Sequence, residues 1–482
     1  MQKVKRSFLV LAASFFGAVG YAQDSTTQVS GQSLTLQQCV DIAIKNNTVV
    51  KTAQFTMESD KAIYQQAIGN MLPFASASIY HQKYNGRSIN PYTNTPINEG
   101  NTTAQYSLSA YVLLWNGSNL ERFLKQTHQA YVAGQMDLQQ AKDNTAIQII
   151  LDYLTVLSDQ ELLSASKSQA EATKEQVRVY DAKNQEGAVA PGDYYNLKGQ
   201  LGQNNLAVIT ATSTLEKDKV TLTKDMNIAY SSSMQLSGLP DSLMPTPYGS
   251  GIEDIYDYSL HHLPEVRSAD LKEQSALNAI KSVRGQLLPS LYLTGGVGSN
   301  YSSVQTLETP LPTTYAPDGS YVTLAGNQVP VYAPQDNFTS KNYAYGSQLS
   351  DNINTYIGLQ LNIPILNGFS TRTKLKQAKI TEHQTAFNQT TTRIQLRQAI
   401  VTDYANMTAA YDTYKTLVQQ VSDYTQAFQA ASVKLDAGSI TTFDYVIAKN
   451  NVDGSKINLI AAKYNYILQT KVLDYYLGRL TY

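Results

Sequence analysis

The chain has 482 residues and a formal charge of −1, and it draws only 16% of its residues from Asp, Glu, Lys and Arg, against about 25% in ordinary soluble domains. The near-neutral balance excludes a basic nucleic-acid surface, and the single cysteine, Cys39, excludes an intrachain disulfide. Gln, Asn, Ser, Thr and Tyr take the place of charge, with 34 Tyr against one Trp, which suits surfaces half apolar and half wet.

Residues 1–22 read as a secretory signal. Lys3, Lys5 and Arg6 precede the short apolar run Phe8–Gly20, and Gly20-Tyr21-Ala22 offers small residues for cleavage. Its loss removes three positive charges and no negative one, taking −1 to −4. No later stretch holds about 18 apolar residues in a row, so no membrane-spanning helix is expected. Cys39 lies in an amphipathic pattern, away from the place of a lipoprotein anchor, and reads as a small buried residue.

A polar linker, Gln23–Ser33, leads to a helix expected over Leu36–Met71, with Leu36, Val40, Ala43, Ala62, Ile63 and Ala67 at helical spacing. Leu72-Pro73 stops it. A strand is expected over Phe74–Tyr84, then an exposed loop, Asn85–Asn101, then a cleanly alternating strand over Tyr106–Leu114. Asn116-Gly117 opens a run, Ser118–Glu186, with no proline and only Gly134 as a break. At about 1.5 Å per residue this is a rod roughly 100 Å long. A turn at Gly187–Pro191 precedes a returning helix, 192–228, and Ser231–Gly251 reads as a linker.

The pattern then recurs. A helix over Ile252–Gln286 ends in Leu288-Pro289, which aligns with Leu72-Pro73 at a shift of 216. Leu291–Tyr301 alternates, Ser303–Asp351 reads as a long loop, and Ile357–Ile365 alternates again. Asn367-Gly368 matches Asn116-Gly117 at a shift of 251 and opens a second rod, Phe369–Ala437, free of Gly and Pro. The same shift pairs Asp403-Tyr404 with Asp152-Tyr153, Gly438 with Gly187 and Asp444-Tyr445 with Asp193-Tyr194. The expected organisation is therefore two repeats, 23–230 and 252–482, joined by 231–251.

Each half offers two strands with one apolar and one polar face. This fits a transmembrane β-barrel and equally a half-buried soluble sheet; the signal and the long polar loops favour the barrel. Four strands are too few to close in lipid, where open edges do not occur, so the barrel reading demands an oligomer. In the second rod Tyr404, Met407, Tyr411, Tyr414, Val418, Val421, Phe428 and Leu435 form a heptad stripe, with Thr425 and Ser432 as small polar exceptions. In the first rod the stripe is looser: Ile147, Ile150/Leu151, Leu154 and Leu157.

Taken together, Leu34-Thr35-Leu36 with Ala43 and Asn46-Asn47, the helix ends at Pro73 and Pro289, the strand–Asn-Gly–rod junctions, and a Gly followed six residues later by Asp in each half resemble the TolC-like outer-membrane efflux proteins. The resemblance covers nearly the whole mature chain. It implies a membrane α+β fold: a homotrimer with a 12-stranded β-barrel, four strands per chain, joined to a long periplasmic helical barrel. It implies docking on a periplasmic adaptor and an inner-membrane transporter, and a passive duct for small molecules. Protein export is the alternative within that reading, and a non-conducting coiled-coil scaffold the alternative outside it.

By the same resemblance Asp193 and Asp444 lie at the periplasmic tip as candidates for the pore constriction, and Gly187, Ala188, Val189, Gly438, Ser439 and Ile440 form the turns that meet the adaptor. Rings of carboxylate favour cations. The plainer role for both aspartates is stabilisation of a helix start. Some relatives place an Arg in the second turn and a further Asp one helical turn on; here those positions hold Ile440 and Ile447. No phosphate loop, nucleophile motif or metal spacing occurs, so neither an enzyme nor a cofactor is expected. The His261-His262 pair reads as two neighbours on a helix that point apart, and Glu253-Asp254 as a solvated helix start.

Overall fold

A computed structural model of the chain describes residues 33–90, 94–98, 100–238 and 245–480; the signal segment and part of the 231–251 linker lie outside them. In chain order the principal elements are β1 (Ser33–Leu34), α1 (Leu36–Asn46), α2 (Thr48–Gly69), β2 (Phe74–Tyr84), β3 (Ser88–Ile89), β4 (Pro96–Ile97), β5 (Asn101–Trp115), α3 (Asn119–Gln185), α4 (Pro191–Asp225), β6 (Gln235–Leu236), α5 (Ile252–His262), α6 (Pro264–Gly285), β7 (Ser290–Ser302), β8 (Thr306–Leu324), β9 (Asn327–Asn342), α7 (Tyr345–Asp351), β10 (Asn354–Asn362), α8 (Ser370–Asp436) and α9 (Thr442–Tyr476). The duplication is visible in the lengths. α1 and α5 have 11 residues each, α2 and α6 have 22, α3 and α8 have 67, and α4 and α9 have 35.

Three expectations need correction. The single helix expected over Leu36–Met71 is two, because Asn47 leaves helical geometry at ψ 135 and its Oδ1 accepts from Val49 N at 2.8 Å, starting a new helix. The helix expected over Ile252–Gln286 likewise breaks at Leu263, where Pro264 follows. The stretch 303–351 is not a plain loop: β8 and β9 pair over most of their length as a hairpin, and α7 follows. Five prolines in β8 and β9 hide the alternation that would have revealed it.

Contacts gather into two units: segments 33–57, 134–268 and 389–480 form one, and segments 58–133 and 269–388 the other. In the first, α1 begins with a capping box between Thr35 and Gln38. Leu36, Cys39, Val40 and Ala43 then fall on one face and pack on Ile149, Ile150, Tyr153 and Leu154 of α3 and on Leu222 and Met226. Burial pushes the Cys39 thiol up to about 12. Tyr153, fully enclosed, donates to Leu34 O and Ser237 O at 3.1 and 2.7 Å, holding the parallel β1–β6 pair. A second cluster joins Ile255, Leu263 and Val266 to Leu396, Ile400 and Met407 of α8 and to Tyr466 and Leu473 of α9. Of the expected stripe in the second rod, Met407 is buried and Tyr411 and Tyr414 lie against Tyr466, but Val418 is 44% exposed and Leu417 turns inward instead.

The second unit is built on a sheet in the order β2-β5-β7-β10, every neighbour antiparallel. Ser76 faces Ser109 and Ser78 faces Ser107, their hydroxyls 3.2 and 2.7 Å apart, on the polar side. Ile79, Leu108, Leu359 and Leu361 emerge on the other side, between 50% and 73% exposed. Under the sheet, the end of α6 meets the start of the first rod. Gly117 has φ +65, and a Cβ there would lie 2.7 Å from Leu288 Cβ; a Cβ on Gly285 would lie 2.7 Å from Gly117 O. Glycine is required at both places, by the close approach and, at Gly117, by the left-handed backbone.

Candidate functional site

The two expected tips are built alike. The first rod closes with Gly187 N on Asn184 O and Ala188 N on Lys183 O, at 3.1 and 2.8 Å. The second closes with Gly438 N on Leu435 O and Ser439 N on Lys434 O, at 2.9 and 2.8 Å. Gly187 and Gly438 have φ +67 and +66. These are Schellman closures, which satisfy the last carbonyls of a helix and need a residue without Cβ strain. Gly187, Ala188, Gly438 and Ser439 are exposed, and Val189 and Ile440 half-buried.

The helices that follow start differently. Thr441 caps α9: its Oγ1 accepts from Asp444 N at 3.2 Å, while Asp444 Oδ2 accepts from Thr441 N at 3.2 Å and from its hydroxyl at 2.7 Å. These bonds, the hydroxyl first, hold the Asp444 carboxyl below its usual range. In the first repeat Ala190 stands in place of Thr441 and offers no side-chain oxygen; Pro191 opens α4 and Asp193 lies in its first turn. One aspartate is thus locked into a cap, whereas the other has no such bond at its helix start. Around them Gln176 donates to Tyr445 OH at 2.8 Å, Phe428 packs on Tyr445 at 5.2 Å, and Lys198 lies 5.3 Å over the Tyr194 ring.

A second set of carboxylates lies between α3 and α4. Asp152 and Asp159 lie within hydrogen-bonding reach of Asp225 and Asp218 across this antiparallel pair. Asp159 is 7% exposed. Oδ2 of Asp152 and of Asp159 is enclosed without a donor. Burial first, then the facing carboxyl group, pushes both up to about 7. Two acceptors face each other, so a shared proton satisfies each pair. The second repeat solves the same position with a donor: Tyr476, at the place of Asp225, gives its hydroxyl to Asp403 at 2.9 Å. The sequence did carry a signal, seven-residue spacing of aspartates on both helices. The His261-His262 pair is absorbed locally, with His262 stacked on Tyr258 at 4.1 Å. Asp254 accepts from Gly251 N at the start of α5, and Glu253 pairs with Arg397 at 2.9 Å.

The sheet has one apolar face and, among the described residues, no partner strand at either edge, the form of a piece of barrel wall, and the chain carries two 67-residue helices. Residues 255–479 match the family described as "Outer membrane efflux protein". The chain is 22% identical over 388 residues to the outer membrane efflux protein BepC of Brucella suis, covering 80% of this chain and 75% of that one. Among solved structures it is similar to CusC, with a TM-score of 0.72 at 13% identity over 95% of both chains. VceC of Vibrio cholerae gives 0.72 at 12% identity, over 92% of this chain and 96% of that one. CmeC of Campylobacter jejuni gives 0.68 at 18% identity, over 96% and 91%. The second half carries the family's sequence pattern, and nearly the whole chain carries the fold of the TolC-like outer-membrane channels. Its place is the cell outer membrane, reaching into the periplasm.

Proposed function

We propose that three copies close a 12-stranded barrel and form a passive exit duct for small molecules across the outer membrane and periplasm, energised by an inner-membrane transporter through a periplasmic adaptor. The observation that carries this reading is the four-stranded sheet with, among the described residues, both edges unpaired and its apolar rows uncovered. Unpaired edges do not persist in hydrocarbon. A barrel of twelve strands removes every edge, and the apolar rows then face lipid. Among the described residues no helix is long and apolar enough to cross a membrane, so the sheet is the part suited to that task. Partnership with an adaptor and a transporter is how this family of efflux components works, and the exposed turns at Gly187-Ala188-Val189 and Gly438-Ser439-Ile440 are the candidate contact.

Asp193 and Asp444 would then stand in threefold rings near the tip, Asp444 ionised and held by its cap. Native mass in mild detergent, followed by conductance in planar bilayers, tests the whole. The expected result is a cation-preferring trimer that loses preference in the Asp193→Asn/Asp444→Asn double variant. A monomer would end the duct reading; a trimer whose selectivity ignores both substitutions would end the pore role of the aspartates.

A further inference from the structure

Between β7 and β10 the chain leaves the sheet as a long ribbon. β7 ends at Ser302 and β10 begins at Asn354, at the end of the sheet opposite the starts of α3 and α8. From there β8 and β9 run out and back as a hairpin. Its root is fixed. Gln348, fully enclosed, accepts from Ser302 N at 2.9 Å and donates to Ser302 O at 3.0 Å and to Tyr343 O at 2.8 Å. Its amide does for Ser302 what a neighbouring strand would do. Ser303 N donates to Thr102 O at 2.9 Å, and Tyr343 N to Gln305 O at 3.3 Å. Beyond this root nearly every residue of β8 and most of β9 are exposed.

The register of the ribbon carries a regularity that the order of residues along the chain conceals. Pro310 faces Phe338, Tyr315 faces Pro334, Pro317 faces Tyr332 and Tyr321 faces Pro330. Four of its five prolines thus stand directly opposite an aromatic residue, and those rings stay between 53% and 70% exposed. In an antiparallel pair, positions that exchange hydrogen bonds alternate with positions whose N–H and C=O point away from the partner. The turn fixes which is which. Ala325 and Gly326, at φ +50 and +88, make a two-residue loop with both φ positive, closed by the hydrogen-bonded pair Leu324–Asn327. Three steps back, Tyr321–Pro330 is a pair of the outward-pointing kind. Proline has no N–H, so the other three pairs are of that kind too, and no hydrogen bond inside the ribbon is lost to them. Each edge is instead interrupted where a third strand would need donors, at Pro310 and Pro317 on β8 and at Pro330 and Pro334 on β9.

A long unpaired edge invites a further strand, and here β8 has 19 residues and β9 has 16. Charge does not guard these edges: residues 306–342 hold only Glu308, Asp318, Asp336 and Lys341. We infer that the prolines shut both edges of the ribbon against a third strand, while the aromatic residues opposite them hold its two strands together, so that ribbons brought side by side at the mouth of the duct stay separate and leave it open. The two tasks fall on the same pairs for one reason. Outward-pointing pairs bring their side chains closest, so the position that can spare its N–H is also the one where an aromatic ring best covers a proline ring. The barrel reading supplies only the place where ribbons meet; closure of the edges is a property of the single chain.

Opening one edge tests the inference. Pro330→Thr/Pro334→Thr gives β9 an uninterrupted row of donors and residues of high strand preference. Pro310→Thr is the control: it also breaks one proline–aromatic pair, but leaves Pro312 and Pro317 on the β8 edge and both prolines on β9. Native mass in mild detergent is followed across a dilution series, with limited proteolysis to read the ribbon itself. The double variant is expected to join assemblies to one another at concentrations on the order of tenfold below the parent, through the two restored donors, and Pro310→Thr to match the parent. A double variant with an intact ribbon that associates no more than the parent overturns the inference. So does a ribbon that protease cuts faster than the parent's, because the prolines then serve its folding and not its edges. Equal association in Pro310→Thr also overturns it, tracing the effect to a lost ring pair. In planar bilayers the double variant should conduct less; unchanged conductance overturns the role at the mouth and leaves the closed edges standing. A parent that runs as a monomer ends the trimer reading, and the comparison among variants still decides the edges.

Discussion

Asp218→Asn should change how stability depends on pH. Asp159 faces Asp218 with an enclosed Oδ2 that no donor reaches, and its carboxyl is raised from 3.8 to about 7, by burial before the neighbouring acid. The folded state therefore keeps a proton that the unfolded chain releases near pH 4. Stability from this pair is fully present below about pH 4, falls as pH rises and is lost above about pH 7. One unit is about 1.4 kcal/mol, so three units give on the order of 4 kcal/mol per chain across that window. An asparagine at 218 removes one charge and offers an amide N–H to Asp159, doing without the proton what Tyr476 does for Asp403 in the second repeat. Helix ellipticity followed on heating at pH 5 and pH 8 is the assay. The variant should melt a few degrees above the parent at pH 8 and show a flatter dependence between the two. An unchanged slope, or a lower midpoint at pH 8, would refute the shared-proton account.

Gly285→Ala should destabilise the chain by about 1–3 kcal/mol, because the new Cβ meets backbone, Gly117 O at 2.7 Å and Asn119 N at 2.9 Å, that no rotamer can clear; denaturant unfolding reads it, and a neutral result would contradict the close approach. Tyr153→Phe leaves Ser237 O without its buried donor, while Leu34 O keeps Ser237 N at 2.9 Å, which should cost about 1–3 kcal/mol and speed amide exchange across β1 and β6. Thr441→Ala removes the cap of α9, so exchange at residues 442–444 should quicken several-fold while 192–193, at a helix start with no side-chain cap, stay as they were.

How far the sequence could be read depended on how local the cause was. Gly187 and Gly438 were legible as helix ends because a left-handed residue is a property of one position. The two rods were legible within a residue at either end because only Gly and Pro break such runs. Asn47 misled: its side chain can continue a helical pattern or start a new helix, and here it does the second. The hairpin over 306–342 was missed because its prolines, removed from a central strand, are tolerated in a two-stranded ribbon where one side of each strand is unpaired. At the tips the sequence placed Asp193 and Asp444 as equals, and the difference between them rests on one neighbour, Thr441 against Ala190.

By itself the sequence determined the periods: two repeats, strands of period two with one apolar face, and glycine-bounded rods, since each follows from the chemistry of neighbours along the chain. Pairing needed the tertiary structure. The pairing of β5 with β7, the approach of Gly285 to Gly117 and the facing aspartates 159 and 218 join residues between 59 and 199 positions apart. No local preference sets such a distance, and only packing decides which of the two repeats covers the other and which surface is left open.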